Sequence, residues 1–210
     1  MENLEVRATK VDFGQRRKTL TAVLFTGGLS RRMGADKATL PIAGEPLWAR
    51  QVRLLRGFQP DVLWISARAR PAWCPSEIEV ITDESPSRGP LSGLSAALQK
   101  LSTSHLLAVA IDLPQMTAEP LSNLWSLAQP GCGVIPAHND FLEPLCAIYP
   151  AEATTNAAAA LSRGEDVSMQ SFARALLHEN RMKIYPLSES ERRLFHNVNT
   201  PQDLEHLSRP

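Results

Sequence analysis

The chain has 210 residues, enough for one domain with a full core, and its 22 Lys+Arg balance 22 Asp+Glu. Zero net charge argues against a nucleic-acid-binding protein or one drawn to an acidic membrane face. Three cysteines (Cys74, Cys132 and Cys146), odd in number and far apart, argue against a disulfide framework or a CxxC metal site. Glu2 and Glu5 with no apolar stretch behind them do not form a signal peptide, and the longest apolar run, 106–111, is strand-sized. The expectation is a soluble, cytoplasmic protein with reduced thiols.

Residues 1–18 are polar and without periodicity, which predicts a flexible tail followed by a single domain over 19–210. Residues 19–26, TLTAVLFT, are apolar and β-branched and read as a buried strand. A Gly-rich loop, Gly27-Gly28-Leu29-Ser30-Arg31-Arg32-Met33-Gly34, follows at once. Pro46 opens a helix and Gly57 closes it. Strands are predicted over 61–67 and 78–82. Leu91, Leu94, Leu98 and Leu101 then fall at helical spacing. Residues 105–111 form another buried strand, stopped by Leu113-Pro114. Thr117 caps a helix whose apolar face is Leu121, Leu124, Trp125 and Ala128. Strands over 133–136 and 144–149, helices over 151–162 and 168–177 and a strand over 181–185 complete the pattern. Thr200-Pro201-Gln202-Asp203 begins a last helix. Strands alternating with helices predict an α/β Rossmann-like three-layer sandwich with a mostly parallel central sheet. In such sheets ligands bind beyond the carboxyl ends of strands.

Two places meet that rule. In the first loop, Gly27 and Gly28 permit close backbone approach, so that several N–H groups can face one anion. Arg32 and Lys37 add fixed cations, an arrangement suited to a triphosphate. The string is neither a Walker A loop nor a dinucleotide GxGxxG. Asp112 stands at the end of a buried strand, where a carboxylate suits Mg²⁺, a hard cation bound through few carboxylates plus phosphates. Asp83 also follows a strand and is placed to accept hydrogen bonds from a base edge; the neighbouring Arg88 reads as a solvated loop residue. Asn197 and Asn199 precede the last helix, where carboxamides can contact phosphate or metal-bound water. Trp48 and Trp125 lie on apolar helix faces and read as core.

The residues Leu24-Phe25-Thr26-Gly27-Gly28-Leu29-Ser30-Arg31-Arg32-Met33-Gly34-Ala35-Asp36-Lys37 resemble the LAGGxSxRMGxDK signature of molybdenum cofactor guanylyltransferases, the MobA family. In the same order, Gly89-Pro90-Leu91-Ser92-Gly93 is similar to the family's GPLAG, and Ala110-Ile111-Asp112-Leu113-Pro114 to its xCDxP. Glu143-Pro144-Leu145-Cys146-Ala147-Ile148-Tyr149-Pro150 resembles QPLxALYP, and Asn197-Val198-Asn199-Thr200-Pro201-Gln202-Asp203-Leu204 resembles NxNTPEDL. The resemblance spans about residues 20 to 207. It implies an enzyme that attaches GMP from Mg-GTP to the terminal phosphate of molybdopterin and releases pyrophosphate.

By matching position the resemblance implies that Arg32, Lys37 and Asp112 are catalytic. It implies that Phe25, Gly27, Gly28, Lys37, Ser66, Asp83 and Asp112 bind nucleotide, that Asp112 binds the Mg²⁺ cofactor, and that Asn197 and Asn199 face molybdopterin. GTP and molybdopterin are the implied partners, with molybdopterin-delivering proteins and molybdoenzyme chaperones beside them, and neither nucleic acid nor membrane. Two positions depart from the pattern. Ser66 stands where the family commonly has an Asn that touches guanine. Gly164-Glu165-Asp166-Val167-Ser168 lacks the family's molybdopterin-side Arg. The residues themselves leave open a cytidylyltransferase, a sugar-phosphate nucleotidyltransferase, and a nucleotide-binding protein without catalysis.

Overall fold

The computed structural model describes residues 18–27, 36–82, 89–162, 168–198 and 203. Its centre is β1, Leu20–Phe25, buried at every position. β1 pairs in parallel with β4 (Val62–Ser66) on one side and with β6 (His105–Ala110) on the other. β4 pairs in parallel with β5 (Glu79–Ile81). On the other flank β9 (Cys146–Pro150) runs antiparallel to β6 and to β7 (Gly133–His138). β10 (Met182–Pro186) pairs in parallel with β7 at the edge. The sheet order is thus β10-β7-β9-β6-β1-β4-β5, with the short β8 (Phe141–Leu142) on β7. A separate two-stranded ribbon joins β2 (Pro41–Ile42) to β3 (Glu45–Pro46).

Side-chain alternation along β1 builds two cores. Leu20, Ala22 and Leu24 point to one face, where α1 (Leu47–Gly57) and α3 (Ala118–Leu127) supply Leu47, Val52, Leu55, Leu121 and Leu124. Val23 and Phe25 point to the other, against α2 (Pro90–Lys100), α4 (Ala153–Ser162) and α5 (Met169–His178). Three layers result, as the alternation of strands and helices predicts. Burying each large aliphatic side chain, such as Leu24 or Ile65 at 0% exposure, contributes about 1.5–3 kcal/mol relative to leaving it in water. No helix among the described residues is long and apolar enough to cross a membrane.

Several boundaries differ from the sequence expectation. Pro46 is the cap of α1 rather than its first residue, because it pairs with Pro41 in the ribbon. Thr117 precedes α3 in extended backbone, but its hydroxyl makes no capping bond. The expected strand over 144–149 begins only at Cys146: Pro144 has no N–H for a ladder, and the N–H of Cys146 closes a turn on Glu143 O at 3.0 Å. The segment 189–192 forms a short α6, Glu189–Arg192, which apolar periodicity did not suggest; a capping box between Ser188 and Glu191 nucleates it. Lys18 is tied to the domain. Its ammonium donates to Trp125 O and Ala128 O at 2.9 and 3.0 Å and lies 4.5 Å from the Trp125 ring centroid.

Candidate active site

Phe25 pairs with Ser66 in β4 and with Ala110 in β6, so three parallel strand ends meet at one edge of the sheet. The ladder runs one step further, from Thr26 N–H to Ser66 O and from Ile111 N–H to Phe25 O, both at 3.0 Å. Thr26 Oγ1 also donates to Ser66 O at 3.0 Å. Phe25 and Ser66 are each 6% exposed and form the floor of this edge. Gly93 in α2 makes that floor possible. A Cβ there would stand 2.8 Å from Ser66 Oγ and 3.5 Å from the Phe25 ring. Gly27 is exposed, and a Cβ there would meet nothing within 4 Å among the described residues.

Lys37 and Asp112, 75 positions apart in the chain, meet at the same end of the sheet, just past β6. Nζ lies 3.6 Å from Asp112 Oδ2, and the side chains are 12% and 25% exposed. Burial holds the Lys37 ammonium below its ordinary range, while the charges of Asp112 and Asp203 pull the other way. Asp112 stands just past β6, where parallel pairing with β1 has ended, and its backbone oxygen accepts the N–H of Val198 at 3.0 Å. That bond, with Val198 buried, brings the neighbouring exposed Asn197 to the same edge. Asp112 Oδ1 is buried and has no hydrogen-bond partner among the described residues. An oxygen in that state, on a carboxylate, suits a hard divalent cation.

A second carboxyl stands in the same field. The backbone around Glu143 is pinned at four points. Glu143 N–H donates to Pro136 O at 2.9 Å, and Cys146 N–H to Glu143 O at 3.0 Å. Tyr149 Oη donates to Pro144 O at 2.6 Å, and Ala110 N–H to Leu145 O at 2.7 Å. Burial, then the charge of Asp112, pushes the Glu143 carboxyl up to about 7. Sequence reasoning quoted Glu143 within a motif and gave it no role. The only local signal was the turn-forming Pro144 behind it. Asp203, read only as a first-turn helix charge, likewise acts on Lys37.

A family model described as MobA-like NTP transferase domain matches residues 22–181. A probable molybdenum cofactor guanylyltransferase of Opitutus terrae is 38% identical over 187 residues, 88% of this chain and 92% of that protein. A molybdenum cofactor guanylyltransferase of Xanthomonas euvesicatoria pv. vesicatoria is 32% identical over 188 residues, 89% of this chain and 93% of that one. The crystal structure of molybdopterin-guanine dinucleotide biosynthesis protein A from Archaeoglobus fulgidus superposes with a TM-score of 0.69 at 25% identity, covering 90% of this chain and 96% of that one. The chain belongs to the MobA-like NTP transferase family. It is therefore a nucleotidyltransferase, and the strand ends just described are its candidate centre.

Of the residues singled out in the sequence of this MobA-like transferase, the structure brings Lys37, Asp112 and Asn197 to the end of the sheet at which β1 (Phe25, then Gly27) and β4 (Ser66) also finish. Gly28, Arg32, Asp83, Arg88, Glu165, Asp166 and Asn199 lie outside the described residues.

Proposed function

We propose that this chain transfers GMP from Mg-GTP to the terminal phosphate of molybdopterin, releasing pyrophosphate. The observation that carries the reading is the Lys37–Asp112 pair beyond β1 and β6, with a buried Oδ1 on Asp112 that has no hydrogen-bond partner among the described residues. The relatives named as molybdenum cofactor guanylyltransferases support the choice of substrates.

The acceptor phosphate is already a nucleophile, so no strong base is needed. Its oxygen attacks the α-phosphorus, the bond to the bridging oxygen breaks, and the electron pair departs with pyrophosphate. Alignment and charge neutralisation are the work left to the protein. Lys37 is the cation for the departing phosphates, its ammonium standing 3.6 Å from Asp112 Oδ2 at the end of β6. Asp112 would hold Mg²⁺, with the Glu143 carboxyl in the field of the same site. When bound, the ion neutralises triphosphate charge. Ser66 Oγ at the floor faces the base, and exposed Asn197 faces the acceptor.

Thermal stabilisation by GTP, CTP, ATP and UTP, each with Mg²⁺, tests the nucleotide. Ligand at about 100 times its Kd adds about 2.7 kcal/mol, or roughly 5–10 °C for a chain of this size. The expected result is a shift with GTP, lost without Mg²⁺, and pyrophosphate release once molybdopterin is added. Ser66, in the place of the family's Asn, leaves transfer of CMP as the second reading; a shift with CTP alone would replace the first reading with it.

A further inference from the structure

Asp36 precedes Lys37, and both of its carboxylate oxygens are engaged. Oδ1 accepts the N–H of Ala38 at 3.0 Å and caps the three-residue 3₁₀ turn, Lys37–Thr39, that carries the lysine. Oδ2 accepts the indole N–H of Trp73 at 2.7 Å. Trp73 comes from the connection between β4 and β5, 37 positions away in the chain. Its ring stacks on Trp48 in the first turn of α1, with centroids 5.4 Å apart and planes 18° apart. α1 in turn grips the loop behind Asp112. Gln51 Nε2–H donates to Leu113 O at 2.6 Å and Arg50 Nε–H to Pro114 O at 2.7 Å. Contacts therefore run in a closed ring from Asp112 through Lys37, Asp36, Trp73, Trp48 and α1, and back to the loop that holds Asp112.

A 3₁₀ turn of three residues has little stability of its own. A lysine side chain is flexible along its whole stem, so its ammonium is placed only as well as its backbone is held. The cap fixes where the turn starts; the bond from Trp73 fixes how the capping carboxylate is oriented. We propose that Trp73 is a positioning residue of the transfer reaction: its indole N–H, steadied by Trp48, holds Asp36 and so sets Lys37 opposite Asp112. Trp73 touches no reacting atom. The proposal rests on the reading of Lys37 as the phosphate-binding cation.

The test compares the full-length chain with Trp73→Phe, Asp36→Ala and the double variant. Phenylalanine keeps a ring against Trp48 and removes the donor. The first readout is binding of tripolyphosphate with Mg²⁺ by calorimetry, which requires neither a base nor an acceptor. Losing a hydrogen bond to a charged group should weaken binding about tenfold in Trp73→Phe. Its thermal midpoint should move by less than about 2 °C. Asp36→Ala should lose at least as much affinity, and the double variant no more than Asp36→Ala, because both changes act through one contact. The second readout is kcat for pyrophosphate release from GTP with molybdopterin, which should fall in parallel while the KM for molybdopterin stays put. Parental tripolyphosphate affinity in Trp73→Phe, or losses that multiply in the double variant, would overturn the positioning role. A parent that binds tripolyphosphate but turns over no GTP with molybdopterin overturns the proposed substrates and leaves the comparison at Trp73 standing. A parent that does not bind tripolyphosphate overturns both.

Discussion

Replacing Asp112 by Asn keeps the shape of the side chain and removes its charge. With Oδ2 3.6 Å from Lys37 Nζ, the pair attracts by roughly 4–5 kcal/mol at an effective dielectric of about 20, before desolvation is counted. Desolvation of two largely buried groups cancels most of that. The loss is offset in part because Oδ1, without a partner among the described residues, no longer holds a buried charge, and because Asp203 still acts on Lys37. Because Asp112→Asn leaves Lys37 a largely buried cation, the ligand-free protein should still lose about 1–3 kcal/mol, less than the roughly 3–5 kcal/mol of a fully buried pair. The bound state is affected differently. A Mg²⁺ held by few carboxylates loses one of them, so half-saturation by Mg²⁺ should rise at least about tenfold. Turnover at saturating GTP should fall by about 10²- to 10³-fold, the usual cost of removing one preorganised charge contact. Pyrophosphate release titrated with Mg²⁺, beside thermal midpoints with and without the ion, measures both. An unchanged Mg²⁺ titration at parental rate would remove Asp112 from the metal. A collapse of the ligand-free midpoint would recast the ion pair as a fold element.

Three further outcomes follow from particular geometries. Because burial and Asp112 push Glu143 up to about 7, its ionisation adds negative charge beside Asp112 as pH rises through neutrality. Mg²⁺ half-saturation should then fall across that range in the parent and stay flat in Glu143→Gln; parallel profiles would exclude Glu143 from the metal's field. His105 is buried, its Nε2–H donates to Gln129 O at 3.0 Å, and burial holds it below the ordinary histidine range. The unfolded chain protonates first, so the contribution of His105 to stability is complete above about pH 6.5 and is lost as pH falls below it. Thermal midpoints should drop on acidification more steeply in the parent than in His105→Gln, and equal slopes would refute the assignment. A Cβ at Gly133 would lie 2.0 Å from Ile148 O, between β7 and β9. Gly133→Ala should cost about 3 kcal/mol or more in denaturant unfolding, and a parental midpoint would refute that packing.

Local chemistry made much of this protein legible. The nearly continuous apolar run of β1, broken only by Thr21, and that of β6 after His105, mark strands buried on both faces, because such strands lack polar alternation. The leucine spacing of α2 and the placement of Lys37 and Asp112 just after strands are also written in short stretches of chain. The sequence by itself thus determined the three-layer architecture and the family, and it pointed to the strand ends where Lys37 and Asp112 meet as the candidate centre. Contacts between segments far apart in the chain leave no local trace. That β9 runs antiparallel, and that Glu143 in the turn before it stands in the field of Asp112, follows from how the turn around Pro144 docks on β6 and β7. That Trp73 bonds Asp36, Asp203 acts on Lys37, and Lys18 caps the end of α3 was likewise decided only by the tertiary structure. Each of these pairings depends on where a closed core leaves side chains facing one another, and a periodicity of two or of 3.6 residues says which face a residue takes but not what it meets there.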